Sequence, residues 1–476
     1  MSAAGEPSLK VDALLAAYAR GWFPMDRSGA VGPVGFYEAD PRAVIPIESF
    51  RVPRSVARGL RRHRYEIRVD AAFEQVARAC SGDRDGEWLT PRLVDAYIDL
   101  HRAGWAHSVE AWSDDRLCGG LFGVAIGGVL TSETMFHTAP DAGNAALVGC
   151  SDVIIATKDS NLGMGGPAMI EGGGLGVFAP EDIGPADVQH ANGVIDVLVA
   201  DEREAVATAR HYRGFFQGRV KDWITPDQRS LRTVVPENRL RVYDTRAAMR
   251  GLVDEGSLLP LRTGFGAGIH TALARIEGRP VGLMANNPLH LGGAIDADAA
   301  DKGARFMQLC NAHGLPIVSL IDTPGFMVGP EVEKTAQVRH VSRLFVAAGA
   351  LRVPFFSVVL RKGYGLGAMG MAAGGFHQPF FPLARPAGEF GGMGLEGAVR
   401  LGFRKELEAA AEGPERDALF SKLVAQQYQR GEAMNMASSL EIDAVVDPAD
   451  TRAWLARGLA SSSGPRGAAR GFVDAW

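Results

Sequence analysis

The chain is poor in cysteine, with Cys80, Cys118, Cys150 and Cys310 the only four in 476 residues. They stand far apart, with no CxxC pair and no histidine at zinc spacing, which argues against a zinc site or a disulfide framework and fits a reducing cytoplasm. Long apolar runs are missing too. The most apolar stretch, Leu117 to Leu130, is too short and too glycine-rich to span a bilayer. The opening MSAAGEPSLK lacks a basic region followed by an apolar one, so no targeting signal is expected. A net charge of only -5, with both signs mixed along the chain, gives no global attraction to nucleic acid or to an anionic membrane.

Several catalytic signatures are absent as well. Asp322-Thr-Pro-Gly325 imitates the magnesium-side loop of a GTPase, but no GxxxxGKS/T exists to hold phosphates, and a GTPase is rejected. Gly363-Tyr-Gly365-Leu-Gly-Ala368 has the GxGxxA form, yet no acidic residue closes a second strand about 20 residues on, which disfavours a dinucleotide site. There is no GxSxG elbow, and the eleven histidines give no triad by spacing.

What is present is a hydrophobic fraction of 46%, ample for buried cores in a chain whose length allows about three domains. Helical patterns cover Val11–Tyr18, Ala71–Ala79 and Pro91–Ala103. His107–Trp112 alternates as a strand, and Leu117–Leu130 reads as paired strands punctuated by glycines, so this part is expected to hold a central antiparallel sheet. Near Ala142 the composition shifts to small residues without a linker. Beyond it, strands at Asp152–Thr157, Ala272–Arg275, Val281–Ala285, Ile317–Asp322 and Pro354–Leu360 alternate with helices at Ala299–His313, Val332–Ala347 and Leu395–Ala411. That order predicts stacked parallel crossover units. A polar, proline-containing stretch at Gln217–Asn238 suggests a boundary.

Glycine-rich turns recur beside helix starts: AGNAAL at Ala142–Leu147, GMGGPAMIEGGGLG at Gly163–Gly176, LGGAID at Leu291–Asp296 and RKGYGLGAMGM at Arg361–Met371. Backbone N–H groups exposed there favour a developing negative charge, an enolate as well as a phosphate. Glycines also serve simply to permit tight turns and close packing. For any one turn that plainer role is the better reading; the recurrence shifts the balance.

The run NNPLHLGGAIDADAADKGARFMQLCNAHGLPIVSLIDTPGFMVGPEVEKTA, followed by VVLRKGYGLGAMGM and EFGGMGLEGAVRLGFRKEL, resembles the carboxyltransferase component of biotin-dependent acyl-CoA carboxylases. The resemblance covers residues 142–458 and implies crotonase-like stacked ββα units, one complete and one truncated. The implied reaction moves a carboxyl group between carboxybiotin on a carrier protein and the α-carbon of an acyl-CoA. Carboxybiotin releases carbon dioxide, its ring nitrogen takes the α-proton, and the enolate attacks. Two backbone oxyanion holes serve this chemistry, a donor in such a site being worth about 2.7–4 kcal/mol. By motif position, Gly143 and Asn144 resemble the pair facing the thioester oxygen, and Leu366 and Gly367 the pair facing the biotin carbonyl. Asp322, Gly325 and Gly329 would shape the biotin-side pocket, while Gly292 and Gly293 would allow close backbone approach. Val332 stands where the family commonly has the Gln of GxxQE. No metal is implied.

LLAAYARGWFPM, ADPRAVIP, YEIRVDAAFEQVARAC, EWLTPRLVDAYIDLHRAGWAHSVEAW and GGLFGVAIGGVLTSETMFHTAPDA resemble leucyl/phenylalanyl-tRNA–protein transferase over residues 11–142. This second resemblance implies an acetyltransferase-like α/β domain that passes Leu or Phe from tRNA to a protein N-terminal Lys or Arg. Trp88 and Tyr97 would hold the tRNA end or its amino acid, and Glu133 would lie in the active site. The arginines between Arg51 and Arg64 would meet the tRNA backbone. Met25 replaces a tryptophan found in some members, and the later strand carrying Asp-x-Gln has no counterpart after Glu133.

The expected organisation is a truncated transferase-like segment over 1–141, a partial N-terminal carboxyltransferase domain and linker over 142–237, a C-terminal carboxyltransferase domain over 238–460, and a flexible tail over 461–476. Expected partners are biotin carboxyl carrier protein, biotin carboxylase, acyl-CoA and further copies of the chain, with aminoacyl-tRNA an alternative for the N-terminal segment and an inactive fusion a third reading. The expected location is the cytoplasm.

Overall fold

The computed structural model describes residues 9–18, 22–26, 34–38, 66–81, 88–113, 116–126, 129–137, 153–162, 170–171, 174–462 and 473. It divides into two compact units: 1–186 with 199–209, and 187–198 with 210–474; single residues at the C-terminus complete the division.

In the first unit, α1 (Val11–Tyr18) precedes the antiparallel pair β1 (Trp22–Met25) and β2 (Gly35–Glu38). Next come β3 (Glu66–Val69), α2 (Phe73–Cys80), α3 (Pro91–Arg102), β4 (Ala106–Ser113), β5 (Arg116–Ile126) and β6 (Val129–His137). The last three strands and β3 form one antiparallel sheet in the order β3-β4-β5-β6, as the alternation and the glycine punctuation predicted. Pro91 opens α3 behind Thr90, where a missing N–H costs nothing. Leu93, Val94, Tyr97 and Leu100 of α3 are buried with Leu14, Phe73, Val76 and Phe122, which gives this unit its own apolar core.

The second unit is built on an eight-stranded sheet. Its elements are α4 (Arg246–Leu252), β7 (Leu259–Leu261), β8 (Ile269–Ile276), β9 (Arg279–Asn286), α5 (Ala297–Ala312), β10 (Ile317–Thr323), α6 (Gln337–Gly349), β11 (Phe355–Tyr364), α7 (Gly365–Met371), β12 (Phe381–Ala384), β13 (Glu389–Gly391), α8 (Leu395–Gly402), α9 (Arg404–Ala409), α10 (Pro414–Arg430), β14 (Ala444–Val445) and α11 (Thr451–Ser461). The strand order is β14-β12-β11-β10-β9-β8-β7, with β13 paired to the far end of β11. From β9 to β14 the neighbours are parallel, joined by helical crossovers such as α5 and α6. All seven residues of β10 are buried, the signature of a strand covered on both faces.

Three expectations need correction. β8 and β9 are not separate crossover units but an antiparallel hairpin. Only Glu277 and Gly278 connect them, both at positive φ (+49° and +73°), and a two-residue loop of that form closes a hairpin, whereas a parallel return needs a long connection. The helix expected over Val332–Ala347 is broken, because Ala336 takes a left-handed φ of +61° and α6 starts only at Gln337. The helix expected over Leu395–Ala411 divides after Gly402, a poor helix residue, into α8 and α9.

The stretch Gln217–Asn238, where a boundary was expected, is part of the second unit. Leu231 and Val235 are buried in its core, and the side-chain amide of Gln228 donates to the Gly251 carbonyl at 2.9 Å. No helix among the described residues is long and apolar enough to cross a membrane. Most of the expected C-terminal tail lies outside the described residues.

Candidate active site

The carboxyl ends of β9, β10 and β11 lie side by side because these strands are parallel neighbours. Two of the turns leaving them belong to the glycine-rich runs Leu291–Asp296 and Arg361–Met371 of the sequence, and the third holds Gly325. β9 leads to Leu291–Gly293, β10 to Pro324-Gly325-Phe326, and β11 to the first turn of α7. An open parallel sheet gathers ligand-binding loops at this end of its strands.

Backbone contacts tie the turns together. The Ile295 N–H donates to the Gly325 carbonyl at 3.0 Å, and the Met327 N–H to the Ile295 carbonyl at 2.9 Å. The Gln337 side-chain amide, in the first residue of α6, also donates to the Ile295 carbonyl at 3.1 Å. Gly293 (φ +93°) sits so close to β10 that a Cβ there would lie 2.4 Å from the Asp322 carbonyl oxygen. Gly367 meets the backbone of Gly325 with similar tightness. Only glycine permits either approach. Gly292, in contrast, has nothing within 4 Å of where a Cβ would stand, so its outer face is open. Gly329 (φ +129°) caps the short helical turn Pro330–Glu333 that contains Val332.

Leu366 and Gly367 occupy the second and third positions of α7. N–H groups in the first turn of a helix have no acceptor within it and project from its positive end. Leu366 is 61% exposed at this helix start, while Gly367 is buried.

Under the turns lies a buried charged cluster. Asp322 is fully buried; its carboxylate stands 3.2 Å from the Arg361 guanidinium and 3.8 Å from the Lys362 ammonium, and it accepts from the Lys362 backbone N–H at 3.2 Å. The Asn286 side-chain carbonyl accepts from the Asp322 N–H at 3.1 Å. Arg361 also donates to the carbonyls of Arg239 and Arg241. Tyr243 is buried nearby, and burial followed by the Asp322 charge pushes its phenol far above the usual range. Lys362 reaches the Gly292 carbonyl at 2.5 Å, and burial lowers its pKa. The sequence motif containing Arg361 and Lys362 assigns neither a role. Two adjacent basic residues at the end of a buried parallel strand were the available signal. Nothing in the pattern pointed to Asn286, Tyr243 or Gln337.

Gly143 and Asn144, the other expected oxyanion pair, lie outside the described residues. So do the arginines from Arg51 to Arg64. In the first unit, Trp88 packs partly buried against the core, and its carbonyl accepts from the Asp26 N–H at 3.1 Å. Tyr97 is 1% exposed, its hydroxyl lies 2.7 Å from that of Tyr18, and its ring meets Phe122 edge-on at 5.0 Å, so its side chain is part of the core. Glu133 is the extra residue of a bulge in β6, since Phe122 faces Thr134 while Gly123 faces Ser132. A cleft of about 500 Å³ in this unit is lined by Asp70, Phe73, Glu74, Arg78, His101 and Arg102.

Comparison with known proteins agrees with the two resemblances. The carboxyl transferase domain model matches residues 126–464, and the leucyl/phenylalanyl-tRNA protein transferase model matches residues 44–160. The methylmalonyl-CoA carboxyltransferase 12S subunit of Propionibacterium freudenreichii is 32% identical over 334 residues, covering 67% of this chain and 62% of that protein. The biotin-dependent acetyl-/propionyl-coenzyme A carboxylase beta6 subunit of Mycobacterium tuberculosis is 31% identical over 328 residues, 67% of this chain and 68% of the relative. Among solved structures, a single-chain, multi-domain long-chain acyl-CoA carboxylase is similar at 57% identity and a TM-score of 0.63, over 66% of this chain and 31% of that one. The transcarboxylase 12S hexamer, solved with methylmalonyl-CoA, gives 29% identity and a TM-score of 0.60, over 68% and 64%. The likeness establishes a crotonase-like α/β fold for the matched part. The chain spans just over three fifths of the 12S subunit. With a family model matched over residues 126–464 and the glycine turns converging at one end of its parallel sheet, the chain belongs to the carboxyl transferase domain family.

Proposed function

We propose that the chain transfers a carboxyl group between carboxybiotin, presented on a carrier protein in the cytoplasm, and the α-carbon of an acyl-CoA. The observation that carries this reading is the convergence of three glycine-containing turns, the last of them the first turn of α7, at one end of the parallel sheet. Biotin supplies the carboxyl group and a ring nitrogen able to accept the α-proton. The amides of Leu366 and Gly367 donate to the biotin carbonyl as its charge grows, and the open face of Gly292 leaves room for the ring. No side chain of the cluster is required as a base. The 57% identity to a long-chain acyl-CoA carboxylase, against 29–32% to methylmalonyl- and propionyl-type relatives, favours a long acyl chain. The proposed organisation is a transferase-like segment over 1–141, a partial acyl-CoA-side domain over 142–237 whose Gly143 and Asn144 face the thioester, and a biotin-side domain over 238–460. A homo-oligomer is proposed by analogy with the 12S hexamer. The test is carboxylation of free biotin by malonyl-CoA or a long-chain carboxyacyl-CoA. Turnover supports the reading, and its absence from a folded oligomer refutes it.

A second reading concerns the N-terminal segment alone: transfer of Leu or Phe from tRNA to a protein N-terminal Lys or Arg. It is supported by the family match over 44–160 and by the placement of Glu133 at a bulge. Labelled leucyl-tRNA incubated with an N-terminal Arg peptide tests it, and failure of the chain either to bind the tRNA or to label the peptide excludes it.

A further inference from the structure

The turn after β9 has an unusual backbone. Leu291, Gly292 and Gly293 take successive φ values of +47°, +62° and +93°. A left-handed leucine is sterically costly, and a run of such residues persists only where the surroundings over-determine it. The bonds made within the turn are local: Gly293 N–H to the His290 carbonyl at 2.9 Å, and Ala294 N–H to the Leu291 carbonyl at 3.1 Å. A side chain remote in sequence also grips it. The Lys362 ammonium donates to the Gly292 carbonyl at 2.5 Å while standing 3.8 Å from the Asp322 carboxylate. Asp322 is itself fixed by Arg361 and Asn286.

We propose that Lys362 is a positioning residue for the biotin-side pocket, its ammonium tying the Gly292 carbonyl to the buried Asp322 carboxylate and holding the Leu291–Gly293 turn in register with the start of α7. This inference rests on the carboxyl-transfer reading above. Geometry makes the tether more than packing. Gly293 is pressed against the Asp322 carbonyl, whereas Gly292, the residue whose carbonyl is held, keeps an open outer face. Lys362 also belongs to the strand that ends in α7, so one residue links the turn on one side of the pocket to the amides on the other. Its side chain is only 19% exposed, and burial strengthens the attraction to the carbonyl and the carboxylate. The ammonium need not lose its proton.

The test compares Lys362→Met and Lys362→Arg in the full chain by thermal unfolding, by amide hydrogen exchange of the segment 287–296, and by carboxylation of free biotin with the two substrates varied separately. In K362M, exchange of the turn amides is expected to rise about tenfold or more, and kcat/KM for biotin to fall by roughly tenfold to hundredfold. The KM for acyl-CoA should stay within about twofold, the change expected when a group acts on one substrate's pocket only. K362R, which keeps a charged donor, should recover most of both losses. Unchanged exchange in K362M, or equal effects on the two substrates, overturns the proposal. If K362M does not fold, Lys362→Gln, which keeps an uncharged donor of shorter reach, takes its place under the same criteria. A folded wild-type chain with no turnover refutes the carboxyl-transfer reading, and the tether is then decided by exchange alone: lost protection in the variant upholds it and unchanged protection overturns it.

Discussion

Gly367 lies against Gly325 so closely that a Cβ on Gly367 would stand 2.7 Å from both the Cα and the carbonyl carbon of Gly325. Backbone cannot swing aside as a flexible side chain can, so Gly367→Ala must push the start of α7 away from the turn after β10. We expect about 1–3 kcal/mol of destabilisation and a fall in biotin carboxylation on the order of hundredfold if the Leu366 and Gly367 amides act there. Gly349→Ala, at the end of α6 with nothing within 4 Å, is the control and should leave turnover unchanged. Equal activity of the two variants would remove Gly367 from the site.

The Asp322–Arg361 pair differs in kind from the surface pairs. Both side chains are almost fully buried, at 0% and 3% exposure. Asp322→Ala strands a buried guanidinium, for which a loss of about 3–5 kcal/mol is expected. The exposed Lys334–Glu331 pair should matter by less than about 1 kcal/mol when Lys334 is replaced by Ala. Denaturant unfolding of the two variants measures both, and similar midpoints would show that the cluster is not the anchor of these turns.

His270 gives a pH prediction. Burial, then the positive charges of Lys302 and Arg246, bring its pKa down to about 4 from an ordinary 6.5. The unfolded chain therefore binds the proton more readily between these values, and stability falls as pH drops from about 6.5 toward 4. The full contribution is present above 6.5. His270→Gln should unfold with a free energy that declines less over this window, by up to about 1.4 kcal/mol per pH unit. Parallel curves for wild type and variant would mean that the imidazole titrates normally.

The two family matches overlap over residues 126–160, which brackets the composition change near Ala142. Trypsin releases Leu117–Lys158 as one peptide, because it contains no internal Lys or Arg. We expect mass spectrometry of cells that carry this gene to find that peptide. Peptides from two separate intact proteins in its place, at comparable coverage, would assign the two activities to different chains.

Local sequence determined the elements whose signals are short-ranged. Val11–Tyr18 forms the helix its pattern implies, β10 emerges from IVSLIDT, and Pro91 sets the start of α3, because periodicity and caps act within a few residues. The glycine turns at Leu291–Asp296 and Arg361–Met371 were legible for the same reason. Tertiary structure decided what the local pattern leaves open. It folded β8 and β9 into a hairpin, broke the helix at Ala336, brought the Gln337 amide to the Ile295 carbonyl, and drew Tyr97 into a core where its hydroxyl meets that of Tyr18. It also assembled Asp322, Arg361, Lys362, Asn286 and Gly292, which are spread across 77 positions of the sequence, into one cluster. Burial is a property of the closed sheet: it holds an aspartate and two cations together away from water, and no residue's neighbours in sequence carry that information.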